Sequence, residues 1–450
     1  MNNVVSISTA IVPLREVQAK YALLSLSGEI RTLDREEIGR VLDGSRRGDI
    51  SMFKAADAKH MIMRFCETLA VACSPKIVAD EFKFSPNTMM YTDVAFSPLP
   101  TPDTTLNYWV GSTAVPAIGN WSVISNYLFD IVCDGDVAKF EYMLNYLAHM
   151  IQFPELKPGV MPVLVGGQGT GKGTFYQLLL ALWGHTSLMV SNVQDVVGQF
   201  NAAMERNFVI FMDEAMFSGD RKAQDRLKSM ITETTITVEQ KFQPRRTITS
   251  YHRFFAASNH RHFAQVDGDD RRFLFLRVSD GRKRDHEYWS RVHGAIGDPL
   301  VIAALAHHLR TRDLTGFNVR DRPATVEHME QKLRSLNGFD RFWFEVLQGG
   351  SFSFDEFGLD LHGWTDARFI STAAILDGCK RLAQGTRQFG SLQQRDLSQS
   401  LMKVCPSANA ARCSSKGRQQ RGYELPSLPQ ARAEFAAAMG GDIDWGDLDA

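Results

Sequence analysis

Between residues 160 and 315 short apolar runs alternate with stretches of helical spacing. The runs are Met161–Val165, Ser187–Val190, Phe208–Met212, Arg253–Ala257 and Phe273–Val278. They are apolar throughout rather than alternating, as strands are when a parallel sheet is covered on both faces. With helical stretches between most of them, the pattern predicts an α/β nucleotide-binding architecture. Upstream, Trp121, Ile124, Leu128, Ile131 and Val132 recur at helical spacing, as do Phe140, Met143, Leu144, Leu147 and Ile151. Gly135-Asp136 separates these two helices, and Asp134 or Asp136 can cap the second. Pro154–Gly159 reads as a linker. Residues 1–115 are mixed, with a turn-rich stretch at Ser97–Thr105. From 316 onward the chain reads as mostly helical, with helices over 369–384 and 391–404 and a short strand or wing at Arg418–Leu425.

Composition narrows the class without changing this picture. Hydrophobic residues make up 44% of the 450 and charged residues 22%, so wholesale disorder and fibrous repeats are excluded. Fifty Lys and Arg against 51 Asp and Glu exclude a uniformly basic coat. The six cysteines have no zinc-ribbon spacing and read as buried thiols of a reducing compartment, with a Cys405–Cys413 disulfide disfavoured. Met1–Lys20 lacks the layout of a signal peptide, and the longest apolar run, Pro299–Ala306, is far short of a membrane span. The expected location is the cytoplasm.

The sharpest signal is the apolar run Val163-Leu164-Val165 followed by Gly166-Gly167-Gln168-Gly169-Thr170-Gly171-Lys172-Gly173-Thr174. Glycines let a backbone curl so that its N–H groups face phosphate oxygens, and the helix that follows adds its dipole. Gly166, Gly167, Gly169, Thr170, Gly171, Lys172, Gly173 and Thr174 are the expected phosphate cradle, with Lys172 on the β- and γ-phosphates. Gly173 stands where a hydroxyl usually follows the lysine, so Thr174 would meet Mg²⁺ either directly or through water. Phe208–Met212 then runs into Asp213-Glu214. A carboxylate at that strand end suits a metal, and its neighbour suits the base that activates water: Asp213 and Glu214 respectively.

The run Arg253–Ala257 leads to Asn259, an amide placed to sense a γ-phosphate or the attacking water. Beyond it stand Arg271 and Arg272; one could act as an arginine finger from a neighbouring subunit, or both could pair with Asp269 and Asp270. Thr235–Thr249 reads as a hairpin whose turn is basic. Lys241, Arg245, Arg246 and Arg253 fall in a window without acids, and Phe242 can pack on a sugar or base, which suits single-stranded nucleic acid.

In this order the motifs resemble those of a superfamily 3 helicase of the phage and plasmid primase-helicase group, over roughly residues 119–315. The resemblance implies a AAA+ P-loop core with a five-stranded parallel sheet, ATP and Mg²⁺ as cofactors, and a homo-hexameric ring. It places Lys172, Asp213, Glu214 and Asn259 in the ATP site, Arg271 or Arg272 as the finger, and Lys241 on a channel hairpin. It implies translocation on single-stranded DNA and unwinding of forked duplexes, with a primase or polymerase of the same element as a possible partner. On this reading residues 1–115 are an accessory domain, 116–155 a helical collar, 156–315 the ATPase, 316–430 a winged-helix-like DNA-binding module and 431–450 an acidic tail. Residues 380–421 carry nine Lys or Arg and one acid, Asp396, which suits DNA; residues 422–450 carry six acids and only Arg432. Two rival classes are a AAA+ origin-binding scaffold that does not unwind, and a nucleoside monophosphate kinase, whose loops share the Gly-Lys-Gly-Thr form. Strand displacement on a forked duplex separates the first, and phosphoryl transfer to AMP the second.

Overall fold

The computed structural model describes residues 7–26, 28–46, 50–69, 74–199, 201–214, 221–239, 245–259, 270–336, 338–350, 352, 364–384, 394–415 and 418–445. Five strands build the central sheet: β1 (Met161–Val165), β2 (Ser187–Val190) and β3 (Val209–Met212), then, after the hairpin strands β4 (Thr235–Val238) and β5 (Arg246–Thr249), β6 (Arg253–Ser258) and β7 (Phe273–Arg277). Their order across the sheet is β7-β1-β6-β3-β2. Parallel register sets Ala256 beside Val163, Phe255 beside Phe211 and Leu188 beside Ile210. Every residue of β3 and β6 is buried, which is why these runs are apolar throughout. All five apolar runs are strands to within a residue or two.

Helix α1 (Val137–Gln152) precedes the sheet, α2 (Lys172–Trp183) follows the glycine loop, and α3 (Arg221–Thr232) follows β3. Helices α4 (His286–Gly297) and α5 (Pro299–Thr311) follow β7. Asp136 caps α1 by accepting from the Lys139 N–H, whereas Asp134 sits in the left-handed turn before it. The helical spacing before that turn resolves into a short helix, Ser122–Asn126, and a π-helical turn, Tyr127–Val132. A π turn adds one residue and re-aims the side chains after it, which spacing alone does not reveal. The four-stranded sheet near the N-terminus joins Met52–Phe53, Glu29–Asp34, Tyr21–Leu26 and Met90–Tyr91.

The chain divides into two units. The first comprises Met1–Ala215, Asp225–His260 and Leu276–Pro323, and the second Met216–Gln224, Arg261–Phe275 and Ala324–Ala450. In the second unit α6 (Val326–Arg334) and α7 (Gly338–Gly349) precede β8 (Arg368–Ser371), followed by α8 (Thr372–Gln384), α9 (Gln394–Val404), β9 (Asn409–Ser415), β10 (Arg418–Leu425) and α10 (Leu428–Met439). Trp343, Phe352 and Trp364 centre its core. Here the helical expectation is corrected. Residues 368–371 are strand rather than the start of a helix, and β8, β10 and β9 form an antiparallel sheet in that order. Ile370 is buried against this sheet's core, and that tertiary partner outweighs a four-residue helical preference. Of the described cysteines, Cys66, Cys133, Cys379 and Cys405 are buried, while Cys413 is an exposed thiol on β9; none is in a disulfide. No helix among the described residues is long and apolar enough to cross a membrane.

Candidate functional site

Parallel strands deliver their C-terminal ends to one edge of a sheet, and β1, β6 and β3 are neighbours. The glycine loop after β1, Asn259 after β6 and Asp213-Glu214 after β3 therefore converge. They line a cleft of about 430 Å³ together with Gln168, Thr174 and Gln177. Each group comes from a different strand end, so only the sheet order brings them together.

The loop is shaped by left-handed backbone at Gly169 (φ +78°) and at Gly171 (φ +97°), the residue that caps α2. A Cβ on Gly171 would also overlap the Trp289 indole. The Tyr127 hydroxyl, buried in the π turn, donates to the Gly171 carbonyl at 3.0 Å. Lys172 is 8% exposed, and its ammonium donates to the Gly166 and Gly167 carbonyls, each at 2.7 Å. Burial pulls its pKa below the usual lysine range, and the Lys283 charge adds to this; Asp213 and Glu214 oppose the shift. The Thr170 hydroxyl closes the turn onto the Gly167 carbonyl at 2.9 Å, and Thr174 Oγ1 lies 3.1 Å from His293 Nε2.

Asp213 is anchored by its own N–H on the Val190 carbonyl (2.9 Å), and its Oδ1 accepts the Glu214 N–H at 3.1 Å. Glu214 adopts φ +52°, a conformation that costs a non-glycine residue about 1–3 kcal/mol and gathers at functional positions. Asn259 Nδ2 donates to Glu214 Oε1 at 3.3 Å, so the amide orients the carboxylate. Lys172, Thr174, Asp213, Glu214 and Asn259 thus share one cleft. Gly167, Gly169, Gly171 and Gly173 lie in the same turn and helix start, and Gly166 packs against Val278 and Thr170.

Of the residues expected to touch nucleic acid, Arg245, Arg246 and Arg253 do not line this cleft. Lys241 and Phe242 lie outside the described residues. Arg245 is paired with Glu239, Nε to Oε2 at 2.5 Å, and Arg246 with Glu205. These acids stand outside the acid-free window, and folding brings them in. Arg253 does not belong to a DNA-facing cluster at all: it is 0% exposed. Its guanidinium donates to the carbonyls of Tyr251 (2.7 Å), Phe153 (3.2 Å), Pro154 (3.0 Å) and Leu156 (2.7 Å). A buried charge needs such donors-to-carbonyl matches to survive, and burial pulls its pKa down to about 10. Arg271 and Arg272 belong to the second unit, where the Asp270 carboxylate accepts the Arg272 N–H at 3.0 Å and pairs with its guanidinium at 3.6 Å.

Four residues at the loop carry no sequence motif: Tyr127, Lys283, Trp289 and His293. Trp289 and His293 line the cleft, and the Lys283 ammonium is the nearest side chain to Gly167, 3.9 Å from where its Cβ would be. A usable signal existed in the Trp-x-x-x-His spacing, which puts both rings on one face of the helix after the fifth strand.

A model of a family of unknown function (DUF5906) matches residues 164–272, the span from the glycine loop to Arg272. The DNA primase-polymerase of Nitratiruptor phage NrS-1 is 28% identical over 174 residues, which are 37% of this chain and 23% of that protein. The match thus spans under a quarter of that relative's length. Among solved structures, the apo structure of the NrS-1 C-terminal region (305–718) superposes with a TM-score of 0.60 at 14% identity, over 93% of this chain and 100% of that chain. An A form apo structure of the same region gives 0.59 at 15% identity, over 93% and 98%. At these identities the likeness is one of fold.

Proposed function

We propose that this chain is the ATP-driven motor of a phage DNA replication system, a AAA+ helicase that works as a ring on single-stranded DNA. The observation that carries the reading is the convergence of Lys172, Asp213, Glu214 and Asn259 from three neighbouring strand ends on one cleft. The sheet order, with the loop strand flanked by the last strand and the sensor strand, supports reading it as an AAA+ P-loop core. The similarity to a phage DNA primase-polymerase supports placing it in replication.

The donor set fits Mg²⁺ with a nucleoside triphosphate. The loop offers backbone N–H groups and one ammonium to phosphate oxygens, and Asp213 and Thr174 offer hard oxygens beside it. Among the described residues no cluster of three or more acidic, His or Cys side chains could cage a metal alone. That is the pattern of a Mg²⁺ held chiefly by substrate phosphates and water. Asp213 and Thr174 would hold Mg²⁺, which would neutralise charge developing on the phosphates. Glu214, aimed by Asn259, takes a proton from the attacking water. The water oxygen bonds to the γ-phosphorus as the bond from that phosphorus to the β,γ-bridging oxygen breaks, releasing ADP and phosphate. Lys172 holds the β- and γ-phosphates throughout.

In the second unit, the run α7, β8, α8, α9, β9 and β10, with sheet order β8-β10-β9, supports reading this part of the chain as a winged-helix-like module. Its expected role is to hold DNA at the ring. Arg271 or Arg272 would act on a neighbouring subunit's nucleotide. A second reading, an ATP-dependent scaffold that binds DNA without unwinding it, draws support from Arg245, Arg246 and Arg272, all engaged with acids of their own chain. Displacement of a strand from a forked duplex decides between them. The motor reading expects ATP-dependent displacement that Lys172→Ala abolishes; DNA-stimulated hydrolysis without displacement would favour the scaffold.

A further inference from the structure

We infer that the Tyr127 hydroxyl is a positioning group for the phosphate cradle: it holds the Gly171–Lys172 peptide so that the Lys172 N–H faces the bound phosphates. This inference rests on the nucleotide-binding reading above and deepens it, by tying the helical segment ahead of the sheet to the grip of the loop.

A trans peptide is planar, so its C=O and N–H point in opposite directions. The Gly171 carbonyl accepts the Thr174 N–H at 3.0 Å and the Phe175 N–H at 3.3 Å, so it points along α2. The Lys172 N–H therefore points out of the helix N-terminus, toward the cleft. Little within the loop itself keeps this peptide from turning. Gly171 begins α2 at φ +97° with no side chain capping the helix, and Gly169 and Gly173 stand on either side of it. Glycine populates both halves of φ space about equally, so this stretch has many conformations to lose.

Tyr127 supplies the lock from outside the loop. Its hydroxyl donates to the same Gly171 carbonyl at 3.0 Å. The residue is 0% exposed, and burial pushes its pKa well above the ordinary tyrosine value, with Tyr288 and Cys133 adding to the shift, so the phenol stays a donor. Its own position is fixed. Tyr127 opens the π turn Tyr127–Val132, and the Ile131 carbonyl in that turn accepts the Ser279 N–H at 2.9 Å. Val278, beside Ser279, donates to the Val165 carbonyl at 2.8 Å, at the end of the strand that leads into the loop. The ring also meets the Trp289 indole edge-on at 6.0 Å. π turns gather at functional positions, and this one brings a phenol to the loop. Apparent affinity scales with the fraction of the empty loop that already has the binding geometry, so such a lock tightens binding without touching the chemistry.

The test uses the full chain with Mg²⁺ and ATP, measuring kcat, KM and inhibition by inorganic tripolyphosphate. Tyr127→Phe keeps the ring and removes the hydroxyl. It should raise KM for ATP and the inhibition constant of tripolyphosphate by the same factor, about three- to tenfold, with kcat within about twofold of wild type. Tyr146→Phe is the matched comparison. Its hydroxyl is equally buried and donates to the Val160 carbonyl at 2.9 Å, at the opposite end of β1 from the loop. That variant should lower the urea midpoint much as Tyr127→Phe does, yet leave both constants unchanged. An unchanged KM in Tyr127→Phe, beside a Lys172→Ala variant that no longer binds tripolyphosphate, would overturn the inference and leave the nucleotide reading standing. An equal rise in KM for Tyr146→Phe would overturn it too, by making the loss one of general packing. So would a fall in kcat at constant KM, since the hydroxyl would then serve the chemistry rather than the grip. If wild-type protein bound neither ATP nor tripolyphosphate, both would fall.

Discussion

At the scale of single residues, the cleft separates binding from chemistry. On the proposed reading Lys172 grips phosphates in both ground and transition state, whereas Glu214 acts on the water alone. Lys172→Ala should therefore lose nucleotide binding in an equilibrium titration. Glu214→Gln should keep binding and lose kcat by about 10²–10⁴-fold. Full hydrolysis in either variant would mean the site is elsewhere. A second residue-scale prediction concerns pH. His252 is buried, with Ser250 Oγ 2.9 Å from Nδ1 and the Met204 carbonyl 2.9 Å from Nε2, and burial holds its pKa down at about 4. Burial likewise pulls His149 to about 4. The unfolded chain takes these protons first, near the ordinary imidazole range, so the stability from neutral imidazoles is present above about pH 6.5 and is lost as pH falls toward 4. For His252 that shift corresponds to about 3 kcal/mol. Urea midpoints should fall over this window, and His252→Gln, which keeps a donor and an acceptor, should flatten the dependence.

At the scale of elements, Arg253 joins the start of β6 to the linker that precedes β1. The linker was legible as Pro154–Gly159 from its prolines and glycine, but its anchoring was not. A single arginine in an apolar run looks like an edge charge, and only the fold shows the carbonyls of Phe153, just before the linker, and of Pro154 and Leu156 within it converging on the guanidinium. Arg253→Met should cost about 3 kcal/mol, read as a lowered urea midpoint, because four carbonyls lose a charged donor that is itself buried. A loss below about 1 kcal/mol would show that water replaces the guanidinium. In the second unit the β9–β10 ladder sets Arg412 directly opposite Arg421, both exposed. Like charges across a ladder repel, and a phosphate between them would relieve this. Replacing both with Gln should weaken DNA binding and reduce the salt slope by about 1–2, with basal hydrolysis unchanged. An unaltered slope would place the DNA contact on another face.

At the scale of the whole molecule, the proposed ring makes each ATP site depend on a neighbour. Mixing Lys172→Ala subunits into wild-type protein should then lower DNA-stimulated hydrolysis more steeply than the mutant fraction. A strictly proportional fall would argue for independent subunits. Much of the central sheet and its glycine loop was readable from the linear chain. Buried parallel strands must be apolar on both faces, and a phosphate loop must carry glycines and lysine in one contiguous run, so both leave local signatures. Asp213, Glu214 and Asn259 could be named for the same reason, since each directly follows or closely trails an apolar run. What the linear chain could not hold is anything decided by neighbours remote in sequence. The Arg245–Glu239 and Arg246–Glu205 pairs, the burial of Arg253 and the strand at Arg368–Ser371 all arise from groups brought together by folding. The cleft wall of Trp289 and His293, and the Tyr127 support behind the loop, are of the same kind: Tyr127 lies 44 residues before its partner Gly171, and His293 119 residues after its partner Thr174. Local chemistry is written in adjacent residues; which surface faces it is settled only when sheet order and helix packing place distant segments side by side.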